Sequence, residues 1–282
     1  MQGKVVLVTG ATAGIGLVTA RELARLGATV VGVGRDADKS AAVAGQVRQA
    51  SGNPRVEYLL ADLSSREQVR RLAQDFGSRY DHLDVLVNNA GGIFNKRSES
   101  IDGIEMTFAL NHLGYLLLTN LLLDLLLEGA PSRIVNVSSE AQRNGQIDFA
   151  DLQGVQRYFG WRAYAQSKLA NVLFTYELAR RLEGSEVTAN ALHPGFVATS
   201  FGHNNKDLFG RGIRLAQRIA ARTPEHGART SLYLATSPEV EGVGGKYFVD
   251  EKPAPSSPVS YDESVARRLW EISAAMTGLE DA

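Results

Sequence analysis

Lys4-Val-Val-Leu-Val-Thr9 is a β-branched apolar run, and Gly10-Ala-Thr-Ala-Gly14-Ile-Gly16 follows it without a break. A short apolar run closed by a turn signal reads as a buried strand. Leu17, Ala20, Leu23, Ala24 and Leu26 then recur at helical spacing, and Gly27 ends the recurrence. Strand, glycine loop and helix in immediate succession are the context a dinucleotide-binding turn requires. The glycines allow a tight turn and close approach of backbone to a pyrophosphate, and the helix N-terminus offers it free N–H groups and a positive dipole end. The spacing is Gly-x-x-x-Gly-x-Gly; a glycine-rich turn without a ligand is the alternative.

Outward from this stretch, apolar strands and amphipathic helices alternate. Strands are expected at Val5–Val8, Thr29–Val33, Val56–Leu60, Leu83–Val87, Arg133–Val137, Val187–Leu192 and Lys246–Phe248. Helices are expected at Leu17–Leu26, from a cap at Asp36 or Asp38 to about Ala50, after a capping box Ser64-Ser-Arg-Glu67, over Asp102–Leu127 with a break near Gly114, and over Ala163–Leu182. No polar, Pro-rich linker divides the 282 residues. The expectation is one α/β domain over 1–282, a doubly wound parallel sheet between two helical layers. In such sheets ligands bind at the carboxyl ends of the strands.

Composition narrows the function. The net charge of −1 gives no electrostatic case for nucleic acid. With no cysteine, disulfides, thiolate catalysis and Cys-zinc sites are excluded. The histidines at 82, 112, 193, 203 and 226 show no ligand spacing, so no metal site is expected. Strand one begins almost at Met1, and a cytoplasmic setting without a leader is the expectation.

Tyr164 and Lys168 stand four residues apart in Trp161-Arg-Ala-Tyr-Ala-Gln-Ser-Lys168, hence on one helix face, and Ser138-Ser139 closes an upstream strand. An ammonium beside a phenol favours the phenolate. A phenol titrates near pH 10, so a base working near neutrality needs a shift of roughly 2–3 units, or about 3–4 kcal/mol. One cation at about 4 Å supplies roughly that at an effective dielectric of about 20, although desolvation opposes it.

With these motifs together, the chain resembles the short-chain dehydrogenase/reductases, in their single-domain branch. The resemblance rests on Thr9-Gly10-x3-Gly14-Ile15-Gly16, Asp62-Leu63, Asn88-Asn89-Ala90-Gly91, Asn111, Val137-Ser138-Ser139, Tyr164-x3-Lys168 and Pro194-Gly195, in family order. Arg133-Ile-Val-Asn-Val-Ser-Ser139, Ser167-Lys-Leu-Ala-Asn-Val-Leu-Phe174, His193-Pro-Gly195, Gly245-Lys-Tyr-Phe248 and Arg268-Leu-Trp270 are similar to retinol dehydrogenases. The resemblance implies a Rossmann-type fold and a nicotinamide cofactor, whose oxidised ring adds a second positive charge near Tyr164. It implies Tyr164 as acid/base, Lys168 lowering its pKa and holding the ribose, Ser139 on the substrate oxygen and Asn111 holding water in a proton relay. Ser138 is expected to face the other way. Cofactor contacts are implied at Gly10, Thr12, Ala13, Gly14, Ile15, Gly16, Arg35, Asp62, Leu63, Asn88, Ala90, Pro194, Gly195, Val197 and Thr199, besides Tyr164 and Lys168.

NADP(H) is expected over NAD(H). The acid that would hold a ribose 2′-OH belongs at the last position of strand two, which is Gly34, and Arg35 follows with donors suited to a phosphate. Asp36 is read as a helix cap, and the uncharged Ala13 leaves out the second basic residue of many NADP enzymes.

The substrate is expected to be a lipophilic alcohol or carbonyl compound. Phe149, Leu152, Tyr158, Phe159 and Trp161 lie in the long stretch between Ser139 and Tyr164, as a surface flap or a wall of the pocket. Residues 200–222 mix apolar side chains with Arg211, Arg214, Arg218 and Arg222, and the resemblance implies a substrate lid there; membrane contact is not expected. Lys252-Pro-Ala-Pro-Ser-Ser-Pro258 opens a C-terminal extension over about 250–282. Leu116–Leu127 has leucine everywhere except Thr119, Asn120 and Asp124 and is too short to span a bilayer. It is either a buried helix or, as the resemblance implies, part of a homodimer or homotetramer contact. Two rival functions are a cofactor-binding regulatory protein without turnover and a C=C reductase of the same family.

Overall fold

The structure is a computed structural model that describes residues 1–197 and 222–279. Strands β1 (Val5–Thr9), β2 (Thr29–Gly34), β3 (Val56–Leu60), β4 (Val85–Asn88), β5 (Ser132–Val137), β6 (Val187–His193), β7 (Lys246–Val249) and β8 (Lys252–Pro253) form one sheet in the order β3-β2-β1-β4-β5-β6-β7-β8. The first seven run parallel, and β8 turns back antiparallel to β7. The order reverses between β1 and β4, which opens a crevice at their carboxyl ends.

The helices are α1 (Gly14–Arg25), α2 (Ala37–Ser51), α3 (Arg66–Gly77), a single turn α4 (Met106–Phe108), a π turn (Ala109–Leu113), α5 (Gly114–Leu121), α6 (Leu123–Glu128), α7 (Gly160–Arg181), α8 (Pro224–Thr236) and α9 (Glu263–Thr277). Period-two alternation in β1 sorts the two layers. Val6 and Val8 pack with Leu23 and Ala24 of α1, Val43 and Val47 of α2 and Leu234 of α8. Val5 and Leu7 face the other layer, with Phe76 of α3, Leu116 of α5 and Phe174 of α7. The result is a Rossmann-type three-layer α/β/α domain, as expected.

Several boundaries differ from the sequence reading. The capping serine of α3 is Ser65, which accepts from the Gln68 N–H, while Ser64 bonds the Asp62 carboxylate instead. The helix expected over Asp102–Leu127 begins at Met106, widens into the π turn, and breaks at Leu122 rather than Gly114. Gly114 is needed for another reason: a Cβ there would stand 2.6 Å from the Leu63 carbonyl oxygen. Helices α8 and α9 and strand β8 were not anticipated.

The leucine-rich segment is mostly core. Leu116, Leu117, Leu118, Leu122 and Leu126 are buried, and only Leu127 is an exposed large apolar side chain there. Helix α9 closes over the same layer: Trp270 stacks on Phe174 of α7 at 5.6 Å, and Ser273 bonds His112 at 2.9 Å. The excess apolarity that suggested a subunit contact is therefore satisfied within one chain. Among the described residues, no helix is long and apolar enough to cross a membrane.

Candidate active site

Helix α7 carries Tyr164 and Lys168, and buried polar contacts from the sheet fix its height and rotation. Asn88 of β4 donates to Asn136 of β5 at 2.9 Å, and Asn136 donates to Thr175 of α7 at 3.0 Å. Ser138 donates to the Lys168 carbonyl at 2.7 Å. From the other side Asn111, in the π turn, donates to Ser167 at 2.9 Å. Each bond satisfies a group that would be costly to bury alone, so sliding the helix would strand several at once.

This frame sets Tyr164 against Ser139, whose hydroxyl bonds the phenol. Burial pushes the phenol up to about 12, and the Ser139 bond opposes that shift only in part. Lys168 does not bond the phenol. Its Nζ donates to the Val137 carbonyl at 2.9 Å and lies 5.8 Å from the Tyr164 ring centroid. Burial pulls the ammonium down to about 7. Burial and the Ser139 bond are the causes of the Tyr164 shift, so in the protein without cofactor the phenol stands above its ordinary range, and a positive charge close to it would lower it.

The glycine loop borders this pair. Asn89 braces it, accepting nothing from it but donating from Nδ2 to the Thr9 carbonyl at 2.9 Å, while its N–H donates to the Thr9 hydroxyl at 2.8 Å. A Cβ at Gly16 would lie 2.5 Å from the Gly10 carbonyl oxygen, and one at Gly10 would lie 2.9 Å from the Ala90 Cα. Gly10 and Gly14 also hold φ of 64° and 53°. Close backbone approach therefore demands these glycines, and with Thr12, Ala13 and Ile15 they form a cradle at the start of α1 that fits a pyrophosphate. At the end of β2, a Cβ on Gly34 would stand 2.6 Å from Thr12 Cγ2 and collide with Ser40 Oγ. Arg35 is exposed, and Asp36 caps α2 by accepting from the Lys39 N–H at 2.9 Å.

Other expected site residues divide. Ala90, Asp62 and Leu63 lie at the ends of β4 and β3, on the crevice side, with the Asp62 carboxylate accepting from Ser64. Pro194, Gly195 and Val197 follow β6. The Asn88 side chain is fully buried in the interior ladder, not in the crevice, because it is needed between Thr119 and Asn136. The Asn111 amide is spent on both backbone groups of Gly92, at 2.8 and 2.9 Å, and on Ser167. Thr199 and most of the 200–222 stretch lie outside the described residues. Asn89 was not singled out, although its place in Asn88-Asn89-Ala90-Gly91 was a signal. Ser167 and Gly92 carried none.

A crevice at the strand reversal, a cradle fit for a pyrophosphate, and beside it the buried Tyr164 and Lys168 with the half-buried Ser139 define a nicotinamide-dependent oxidoreductase. A family model for short chain dehydrogenases matches residues 4–207. The chain belongs to the short-chain dehydrogenase family and is of the retinol dehydrogenase type. It is 48% identical to retinol dehydrogenase 14 of Mus musculus, over 99% of this chain and 87% of that protein. It is 43% identical to polyprenol dehydrogenase of Homo sapiens, over 99% and 86%. Among solved structures, an uncharacterized protein from Mycobacterium paratuberculosis superposes with a TM-score of 0.80 at 35% identity, covering 100% of this chain and 96% of that one. The RhlG/NADP active-site complex of Pseudomonas aeruginosa superposes with a TM-score of 0.70 at 28% identity, covering 88% and 94%.

Proposed function

We propose that the chain interconverts a lipophilic alcohol and its carbonyl compound with NADP(H), using Tyr164 as the proton donor and acceptor. The observation that carries this is the buried Tyr164 phenol bonded to Ser139 beside the Lys168 ammonium. The cofactor, when bound, supplies or takes the hydride. Ser139 Oγ and the Tyr164 phenol converge on one point, where a substrate oxygen can accept from both. During reduction the Tyr164 proton goes to that oxygen; during oxidation Tyr164 takes it back. In the same reading Asn111, its amide bonded to Gly92 and Ser167, holds the relay water.

For the cofactor, the reading is supported by position 34, which carries no carboxylate, and by Arg35 next to it. It is also supported by the NADP complex of the Pseudomonas aeruginosa relative. For the substrate, Trp161 is 53% exposed with its ring 5.9 Å from that of Tyr164, and Phe159 and Phe196 are 52% and 48% exposed. An exposed ring beside the reacting group, as Trp161 is, suits an apolar substrate tail. The relatives' names, retinol and polyprenol dehydrogenase, point the same way. A regulatory protein without turnover would have no use for a buried phenol poised on a serine.

The test follows nicotinamide absorbance with retinoid and polyprenyl carbonyls against polyol-derived ones. Wild type is expected to prefer the first group in kcat/KM, and Tyr164→Phe to lose about 100-fold or more in kcat while still binding NADPH. Near-wild-type turnover by that variant, or a preference for the polar substrates, would refute the reading.

A further inference from the structure

Tyr115 sits one turn past Asn111, where the π turn gives way to α5. It is fully buried, and its hydroxyl has no hydrogen-bond partner among the described residues. Burial and the neighbouring Tyr164 hold the Tyr115 phenol well above its ordinary range, so it stays neutral and does not compete as a base.

What Tyr115 does touch is the charge on Lys168. The Lys168 Nζ lies 5.8 Å from the Tyr115 ring centroid and 5.8 Å from that of Tyr164. The ammonium is thus flanked by two aromatic rings and bonded to the Val137 carbonyl at 2.9 Å. A Cβ on Gly91 would come within 3.5 Å of the same Nζ, so the glycine keeps that side open. Tyr164 faces Lys168 from its own helix, Tyr115 from α5 and the Val137 carbonyl from β5. Among the described residues Lys168 forms no salt bridge, and burial alone drives its shift. Ring faces attract an ammonium most strongly where water is excluded.

We propose that Tyr115 is a positioning residue for the reaction: its ring holds the Lys168 ammonium charged and in place opposite Tyr164. The proposal rests on the reading of Tyr164 and Lys168 given above. Carbonyl reduction needs both groups protonated, and the alkaline limb of its pH profile marks loss of the first proton from the pair. Weakening the ring contact makes the ammonium more acidic, which moves that limb to lower pH.

The experiment is the kcat/KM pH profile for carbonyl reduction in wild type, Tyr115→Phe and Tyr115→Met. Phenylalanine keeps the ring and should overlay wild type. Methionine keeps the bulk without a ring face and should move the alkaline limb down by about half a pH unit or more. A Tyr115→Met profile that overlays wild type, with only the melting temperature lowered, assigns the residue to packing and overturns the proposal. So does a Tyr115→Phe profile displaced as far as that of Tyr115→Met, since the hydroxyl would then be responsible. Should Tyr115→Met fail to fold, pentafluorophenylalanine at position 115, compared with Phe, keeps the shape and reverses the charge of the ring face. The same downward shift is then expected, and none overturns the proposal. Loss of the underlying reading is separate, because it would show as an active Tyr164→Phe enzyme.

Discussion

Ser138 and Lys168 meet through a hydroxyl-to-carbonyl hydrogen bond of 2.7 Å. The adjacent Ser139 takes the phenol of Tyr164 one helical turn earlier. Two neighbouring strand-end serines thus grip one helix at two heights, the first on its backbone and the second on its reactive side chain.

Their substitutions should separate accordingly. Ser138→Ala strands a buried carbonyl contact and is expected to cost about 1–3 kcal/mol of stability with kcat reduced modestly. Ser139→Ala should cost about 1 kcal/mol of stability, through the cap it gives the Ala141 N–H, and lower kcat by a factor of about 100 or more. Thermal unfolding and steady-state kinetics on both variants check this; the reverse pattern would exchange the serines' roles.

Stability should depend on pH through Lys168. Its folded ammonium titrates at about 7, below the ordinary value of 10.5. Within that window the unfolded chain binds more protons than the folded one, so stability rises with pH and is lost as pH falls. The slope from this group is at most about 1.4 kcal/mol per pH unit. Cofactor-free protein should therefore unfold at a higher temperature at the alkaline end of the window than near neutrality, and Lys168→Met should show a flatter dependence. Parallel dependences in the two proteins would contradict the assignment.

Cofactor choice should not be reversible by the obvious swap. Gly34→Asp places a Cβ against the Thr12 and Ser40 side chains, which must both shift, so a loss of stability without a clean gain in NADH affinity is expected. Arg35→Ala should weaken NADPH by about 10-fold or more, the value of a charge-assisted bond, and leave NADH unchanged. Fluorescence titration decides, and equal affinities for the two cofactors in wild type would overturn the NADP(H) reading.

Leu122 is wholly buried at the break between α5 and α6. Leu122→Asp is expected to destabilise the domain by about 4 kcal/mol or more, since it buries an unpaired charge. Leu127→Asp, at an exposed position, should leave unfolding unchanged. Light scattering on Leu122→Asp is the check: a folded, dissociated monomer would restore the leucine segment as a subunit contact.

Much of this was legible locally. The alternation in Lys4–Thr9, the glycines at 10, 14 and 16 and the four-residue step from Tyr164 to Lys168 are short-range patterns, and each lies in the strand, turn or helix read for it. Helices α8 and α9 also start at local caps, Thr223 before Pro224 and Asp262 before Ser264, which the sequence reading does not use. Where those helices dock is long-range information: Arg66 and Arg70 of α3 reach the carbonyls of Met276 and Thr277 at 3.1 and 2.9 Å, which no spacing encodes. Trp270 and Ala274 of the docked α9 share one core with Leu116, Leu117, Leu118, Leu122 and Leu126. The fate of the Asn111 amide depends on the π turn, a departure from helical register that ordinary residues do not announce.

That turn takes up the length of one residue. An α-helix advances about 100° per residue. A π turn coils more slowly, so the five residues Ala109–Leu113 carry the chain about as far around the axis as four residues of α-helix would. Tyr115 therefore faces Lys168, and Thr119 reaches Asn88 at the far end of the interior ladder, in the alignment a shorter, regular helix would give. The surplus residue is a slack link: it bends the backbone beside Asn111 out of the regular ladder while leaving the catalytic helix and the sheet aligned.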